Sequence, residues 1–144
     1  MKKIFIGLLG ILFLGIIVNC SSVPAKNPSI QREWMLVSFG NFNKDQMVKS
    51  RAGINLTGKM EGDKIRGGAF MGCNKMFFTG EFRKNGKMKI SGVGSTMMAC
   101  QEMKLERAFV NSFERITQYS IEGHFLTLSD DKGVVMKFVA SDWD

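Results

Sequence analysis

The sequence predicts an α+β domain, with short antiparallel strands joined by tight turns and a single amphipathic helix on the apolar side of the sheet. Three observations point there. After Pro28 the chain has no proline, and its short apolar runs are separated by glycines from Gly40 to Gly133. Asn85-Gly86 lies between two such runs and is a strong hairpin signal. One stretch alone, 101–117, lacks both glycine and proline and repeats its apolar residues at helical steps.

Taken in order, the runs 33–39, 53–59 and 64–70 are read as strands, with Glu61-Gly62-Asp63 turning between the last two. Strands at 76–83 and 87–93 follow, and Asn85-Gly86 between them suits a type I′ turn with positive φ at both central residues. In the helix, Leu105, Ala108, Phe109, Ser112, Phe113 and Ile116 form the inner stripe, while Glu102, Lys104, Glu106, Arg107, Asn111, Glu114 and Arg115 are expected to face water. Burying a Leu, Ile or Phe side chain contributes about 1.5–3 kcal/mol, so the stripe must lie against the sheet. Strands at 119–122, 125–129 and 134–139 complete the chain, joined by Gly123-His124 and by Asp130-Asp131-Lys132-Gly133.

The N-terminal segment has a different character. Lys2 and Lys3 precede a 15-residue uncharged run, 4–18. As a helix that run would measure about 22 Å at about 1.5 Å per residue, short of the roughly 30 Å of a bilayer core. It therefore reads as the apolar region of an export signal with a basic start. Ile17-Val18-Asn19-Cys20 resembles a lipobox, with Asn19 in place of the usual small residue, so cleavage before Cys20 and lipidation of Cys20 are expected. An ordinary secretory signal with an incidental cysteine and an uncleaved anchor are the alternatives.

The expected organisation is a lipoprotein signal peptide over 1–19, a flexible tether over 20–30 holding Pro24 and Pro28, and a domain over 31–144. The tether would reach about 33 Å at roughly 3.3 Å per residue. The membrane is then a partner through the N-terminal lipid. Ser21, rather than an aspartate, after the lipidated cysteine points to the outer membrane, facing the periplasm, in a bacterium that has two. Removing 19 of the 144 residues leaves 125, enough for one domain. Loss of two of the 20 basic residues lowers the net charge from +7 to +5. The remaining cations are scattered, which suits a solvated surface and not a nucleic-acid partner.

If Cys20 carries lipid, Cys73 and Cys100 remain as a pair that an oxidising compartment would join. Closing that loop is worth about 3.6 kcal/mol in the chain-entropy model. Two reduced, buried thiols are the alternative. Neither a metal site nor a cofactor is expected, since only His124 could join the cysteines and no CxxC spacing exists. His124 falls in a tight exposed turn, a poor place for a catalytic imidazole. Glu102 and Glu106 stand at i and i+4, but a solvated face of local ion pairs explains them without acid–base work. The glycine-rich 67–72 lacks the Lys-Ser/Thr of a phosphate loop. Met71, Met76, Met97, Met98 and Met103 crowd around the two cysteines. Core filling explains them better than copper(I) capture, and any that stay exposed would offer an adaptable binding surface.

A set of ordered motifs resembles the META domain of HslJ-like bacterial lipoproteins over about residues 33–139. These are Trp34 followed by Leu36, Gly72-Cys73-Asn74, Phe77-Phe78-Thr79-Gly80, then Thr96-Met97-Met98-Ala99-Cys100, a helix with Glu106 and Phe109, Tyr119-Ser120-Ile121-Glu122-Gly123, and Leu126-Thr127-Leu128. Gly72, Cys73, Asn74, Thr96, Met98, Ala99 and Cys100 carry the family motif. The chain departs from the pattern at Gln101-Glu102, where a proline is common, and at Met97, where an arginine is common.

The resemblance implies a strongly curved antiparallel sheet wrapped around one long amphipathic helix. It implies no catalytic centre and no settled ligand, and associates the family with envelope stress, heat induction and drug tolerance. The expected function is that of a non-enzymatic, lipid-anchored envelope protein that supports stress or drug tolerance by binding an envelope component. The alternative is a small-molecule binder with a hydrophobic pocket between sheet and helix, excluded there if Trp34, Phe109 and Phe113 fill the space. A thiol enzyme would need an exposed, low-pKa Cys73 or Cys100.

Overall fold

Alternation decides which face each strand buries. The computed structural model describes residues 27–143, with elements in the order β1 (Glu33–Phe39), α1 (Lys44–Lys49), β2 (Gly53–Asn55), β3 (Met60–Glu61), β4 (Lys64–Phe70), β5 (Lys75–Phe82), β6 (Met88–Ser95), α2 (Lys104–Phe113), β7 (Gln118–Glu122), β8 (Phe125–Ser129) and β9 (Val135–Ala140). In β1, Trp34, Leu36 and Phe39 point inward; in β5, Met76, Phe78 and Phe82 do; in β9, Met136, Phe138 and Ala140 do. All eight strand pairings are antiparallel, and the path runs β6-β5-β4-β2-β1-β9-β8-β7, with β3 paired to β4.

The ends of that path meet at one corner. The Met88 N–H donates to the Thr117 carbonyl at 2.9 Å and the Tyr119 N–H to the Gly86 carbonyl at 2.8 Å, while Tyr119 Oη donates to the Arg83 carbonyl at 2.8 Å. The result is a half-barrel, curled as a twisted antiparallel sheet must be to approach closure. Helix α2 sits in its concave side. Phe109 and Phe113 stack at 4.5 Å, Phe78 meets Phe113 edge-on at 4.8 Å, and Trp34 donates its indole N–H to the Ile30 carbonyl at 3.1 Å. Trp34, Phe109, Phe113 and Phe138 are all fully buried, so side chains fill the space between sheet and helix.

Four expectations are corrected. The long helix over 101–117 is a 10-residue helix, Lys104–Phe113, of about 15 Å. It starts only at Lys104 because Met103 stands outside the helical region, at φ −120° and ψ 9°, and beyond Glu114 the Arg115 and Ile116 N–H groups bond back to Ser112 and Phe113, tight turns that still deliver Ile116 to the core. The apolar spacing therefore outlasts the helix. A second helix, α1, is present, capped by Asn43 Oδ1 accepting from the Gln46 N–H at 2.7 Å. Only Met47 of its six residues is buried, too few for a periodic signal.

The Asn85-Gly86 hairpin also has another geometry. Only Gly86 has positive φ, at 75°, and its N–H donates to the Arg83 carbonyl at 3.2 Å while the Arg83 N–H reaches the Lys87 carbonyl at 2.9 Å. That is a turn over 83–86 closed by a left-handed glycine, the three-residue hairpin loop instead of the two-residue type I′. The strand read over 53–59 is shorter, Gly53–Asn55, because Asn55 Oδ1 accepts from the Thr57 N–H and hydroxyl and turns the chain away. At the other end, a turn at Asn27 leads to the buried Ile30, while the expected signal peptide and Cys20 lie outside the described residues.

Candidate functional site

The motif residues come together where β4 ends and β5 begins. Gly72 has φ 111°, and a Cβ there would lie 3.1 Å from the Ser50 side chain, so the corner passes close to the end of α1. Cys73 follows and is bonded to Cys100, with an S–S distance of 2.01 Å. Asn74, only 3% exposed, is the hub.

Every hydrogen-bonding position of the Asn74 amide is used. Its Oδ1 accepts from the Thr96 hydroxyl at 2.8 Å and from the Met98 N–H at 2.7 Å. Its Nδ2 donates to Glu106 Oε1 at 2.8 Å and to the Met98 carbonyl at 3.2 Å. The Asn74 N–H donates to Glu106 Oε2 at 2.7 Å. Thr96 also accepts from the Lys75 N–H at 3.1 Å, and its own N–H reaches the Lys75 carbonyl at 3.0 Å. One amide thus ties the segment 96–100 to the sheet and to the first turn of α2, where a carboxylate also complements the helix dipole.

Glu106 corrects another expectation, since it is 6% exposed and faces inward instead of into solvent. A signal for this was present: Glu106 lies three residues before Phe109 and seven before Phe113, on the apolar stripe itself. What sequence reasoning lacked was the partner. Glu102 is exposed and takes no part in the clasp.

The clasp fixes a backbone and leaves side chains free. Met98 gives both its N–H and its carbonyl to Asn74 yet is 54% exposed, and Met97 is 98% exposed. Met71 and Met76 are buried as core filler. His124 is exposed in the β7–β8 turn and stacks on Trp143 at 5.0 Å. Among the described residues no three His, Cys, Asp or Glu side chains gather as a metal site.

A second polar feature lies in the turn before β9. Asp130 Oδ1 accepts from the Lys132 and Val134 N–H groups at 2.9 and 2.8 Å. Burial pushes its pKa up, but these N–H groups and the nearby Arg115 guanidinium outweigh that and hold it below the usual carboxylate value. With the folded pKa below the unfolded value of about 3.9, its stabilisation is complete above that value and lost as pH falls through the folded one. Urea midpoints between pH 7 and pH 3 should fall more steeply for the native chain than for Asp130→Asn; parallel profiles would count against this.

A groove of about 450 Å³ lies on the outer face of the sheet, across β1, β2 and β4. The space between sheet and helix, where a small-molecule binder would have its pocket, is filled by Trp34, Phe109 and Phe113.

The META domain family model matches residues 28–143. The chain belongs to the META domain family. No curated protein matches it. Among solved structures, an NMR structure of a protein from Burkholderia xenovorans is similar with a TM-score of 0.61 at 18% identity, covering 89% of this chain and 99% of that one. A crystal structure of a DUF4847 family protein from Bacteroides vulgatus is similar with a TM-score of 0.51 at 11% identity, covering 80% of this chain and 96% of that one. At these identities the likeness is one of fold. Of the residues expected to carry the family motif, Cys73 and Cys100 form the disulfide, and Asn74, Thr96 and Met98 join Glu106 in the clasp.

Proposed function

We propose that this META domain protein is a non-enzymatic, lipid-anchored component of the cell envelope, and that it supports stress or drug tolerance by binding another envelope component through its methionine loop. The observation that carries this is the division of labour at the clasp: Asn74 immobilises the backbone of 96–98, while the Met97 and Met98 side chains stand in solvent. A pre-fixed backbone lowers the ordering cost of association, and thioether side chains adapt to varied apolar partners. The anchor rests on Lys2-Lys3, the apolar run and Cys20. A diacylated N-terminus supplies the roughly two chains that stable anchoring needs. No helix among the described residues is long and apolar enough to cross a membrane.

Two experiments test the reading. Metabolic labelling with a fatty-acid analogue should mark the native chain and not Cys20→Ala; label on the variant refutes the anchor. A photo-crosslinking residue in place of Met97 should give a discrete adduct in living cells, and one in place of the exposed Lys132 should give none. Equal, diffuse labelling from both positions would remove the loop as a binding surface.

A further inference from the structure

The outer face of an antiparallel sheet that meets water is expected to be polar at alternate positions. Here one outward row is apolar across five strands. The register places Phe70 beside Gly53, Gly53 beside Met35, Met35 beside Val139, and Val139 beside Phe125. The far end of the row is covered by the chain's own groups, since Trp143 packs on Phe125 at 5.7 Å and Lys137 lies over its ring at 4.6 Å. The near end is not, and Met35 is 48% exposed. There the sheet carries the groove of about 450 Å³, within the roughly 300–1,000 Å³ usual for small-ligand sites.

Two glycines make the floor. Gly53 faces out between Met35 and Phe70, and Gly68 faces out beside Asn55 in the adjoining row. The walls set the width. Met35 and Phe70 stand on β1 and β4 with only β2 between them, about 9.6 Å apart at about 4.8 Å per strand. A helix, about 10–12 Å across, does not fit between them. An extended peptide would lay unpaired N–H and C=O groups on an apolar floor. A single alkyl chain has no such groups and matches both the width and the chemistry.

The two ends of the groove differ in charge. Glu33, at one end, accepts from Asn55 Nδ2 at 2.8 Å and is occupied. Arg51 lies at the other end, two residues before Gly53, and Lys75 stands beside Phe70 on the neighbouring strand; both line the groove and form no ion pair among the described residues. Two uncommitted cations at the mouth of an apolar trough complement one anionic head. We propose that this outer groove binds a free, single-chain anionic amphiphile, its head at Arg51 and Lys75 and its chain over Gly53 and Gly68 between Met35 and Phe70. The site is separate from the methionine loop, and either can fail without the other.

The test is a titration of dodecanoate, below its micellar concentration, into the full chain held in zwitterionic nanodiscs and carrying methionines labelled at the methyl carbon. The Met35 methyl signal should move saturably, while that of Met97, 98% exposed and outside the groove, should not. Gly68→Val should abolish the Met35 shift, because a Cβ there meets only the Met76 carbonyl at 3.5 Å, an ordinary contact, and the side chain would fill the floor. Arg51→Asn with Lys75→Gln should weaken binding at least tenfold; Asn suits the left-handed φ of 48° at position 51. Four results would each overturn the proposal: an unmoved Met35 signal, an equal shift with dodecyltrimethylammonium, retained binding in Gly68→Val, or a Met35 shift produced by anionic-lipid nanodiscs with no free amphiphile.

Discussion

Asn74→Ala is expected to lower the unfolding free energy by about 3–5 kcal/mol. The side chain holds a charge-assisted bond to Glu106, bonds to both backbone groups of Met98, and accepts from Thr96. Losing a hydrogen bond to a charged group costs about 1.5–3 kcal/mol, and stranding a buried partner adds about 1–3 kcal/mol. Glu106 decides the size of the effect. Its carboxylate keeps the Asn74 backbone N–H but loses the side-chain donor while still 6% exposed. Removing one member of a buried polar pair is therefore worse than removing both. Asn74→Ala combined with Glu106→Ala should cost less than the sum of the single changes, with a coupling of about 0.5–3 kcal/mol. Urea unfolding at constant m-value measures all three. An Asn74→Ala unfolding free energy within about 1 kcal/mol of the native one would show that water replaces the amide and that the clasp contributes little.

How much of this was legible in the sequence follows from the range of each interaction. The strands 33–39, 64–70 and 125–129 coincide with β1, β4 and β8, because period-two alternation is a local property of the residues that bury. The helix ran too long in sequence because Ile116 keeps the helical spacing through turns that are not helix. The clasp was visible only as motif residues. Asn74 and Glu106 lie 32 positions apart, and nothing local to either says that one will desolvate the other. Glu106 on an apolar stripe was the clue, since a carboxylate at such a place requires donors. The groove was hidden for a related reason: Gly53 and Gly68 read as turn punctuation until the register set them side by side on one face of the sheet.

Reduction of the Cys73–Cys100 bond is expected to lower stability by about 3.6 kcal/mol, from the entropy regained by an unfolded loop with a sequence separation of 27. For a domain of this size that corresponds to a fall in Tm of roughly 10–20 °C. The effect should fall on the unfolded state, because the folded segment has a second fastening. Thr96 and Met98 remain bonded to Asn74 whether or not the sulfurs are joined. Reduced protein should therefore keep its fold and its protected Met98 amide in hydrogen exchange. Asn74→Ala with the disulfide intact should instead release that amide while the loop stays covalently closed. The two losses together, about 7–9 kcal/mol, match or exceed the stability of many domains, of which about 5–15 kcal/mol is typical, so reduced Asn74→Ala should be unfolded or close to it at 37 °C. The bond limits what the unfolded chain can explore, and the amide fixes where the methionine loop stands once the chain has folded. If reduction alone releases the Met98 amide, the bond is what holds the loop in place, and the clasp loses the positioning role given to it.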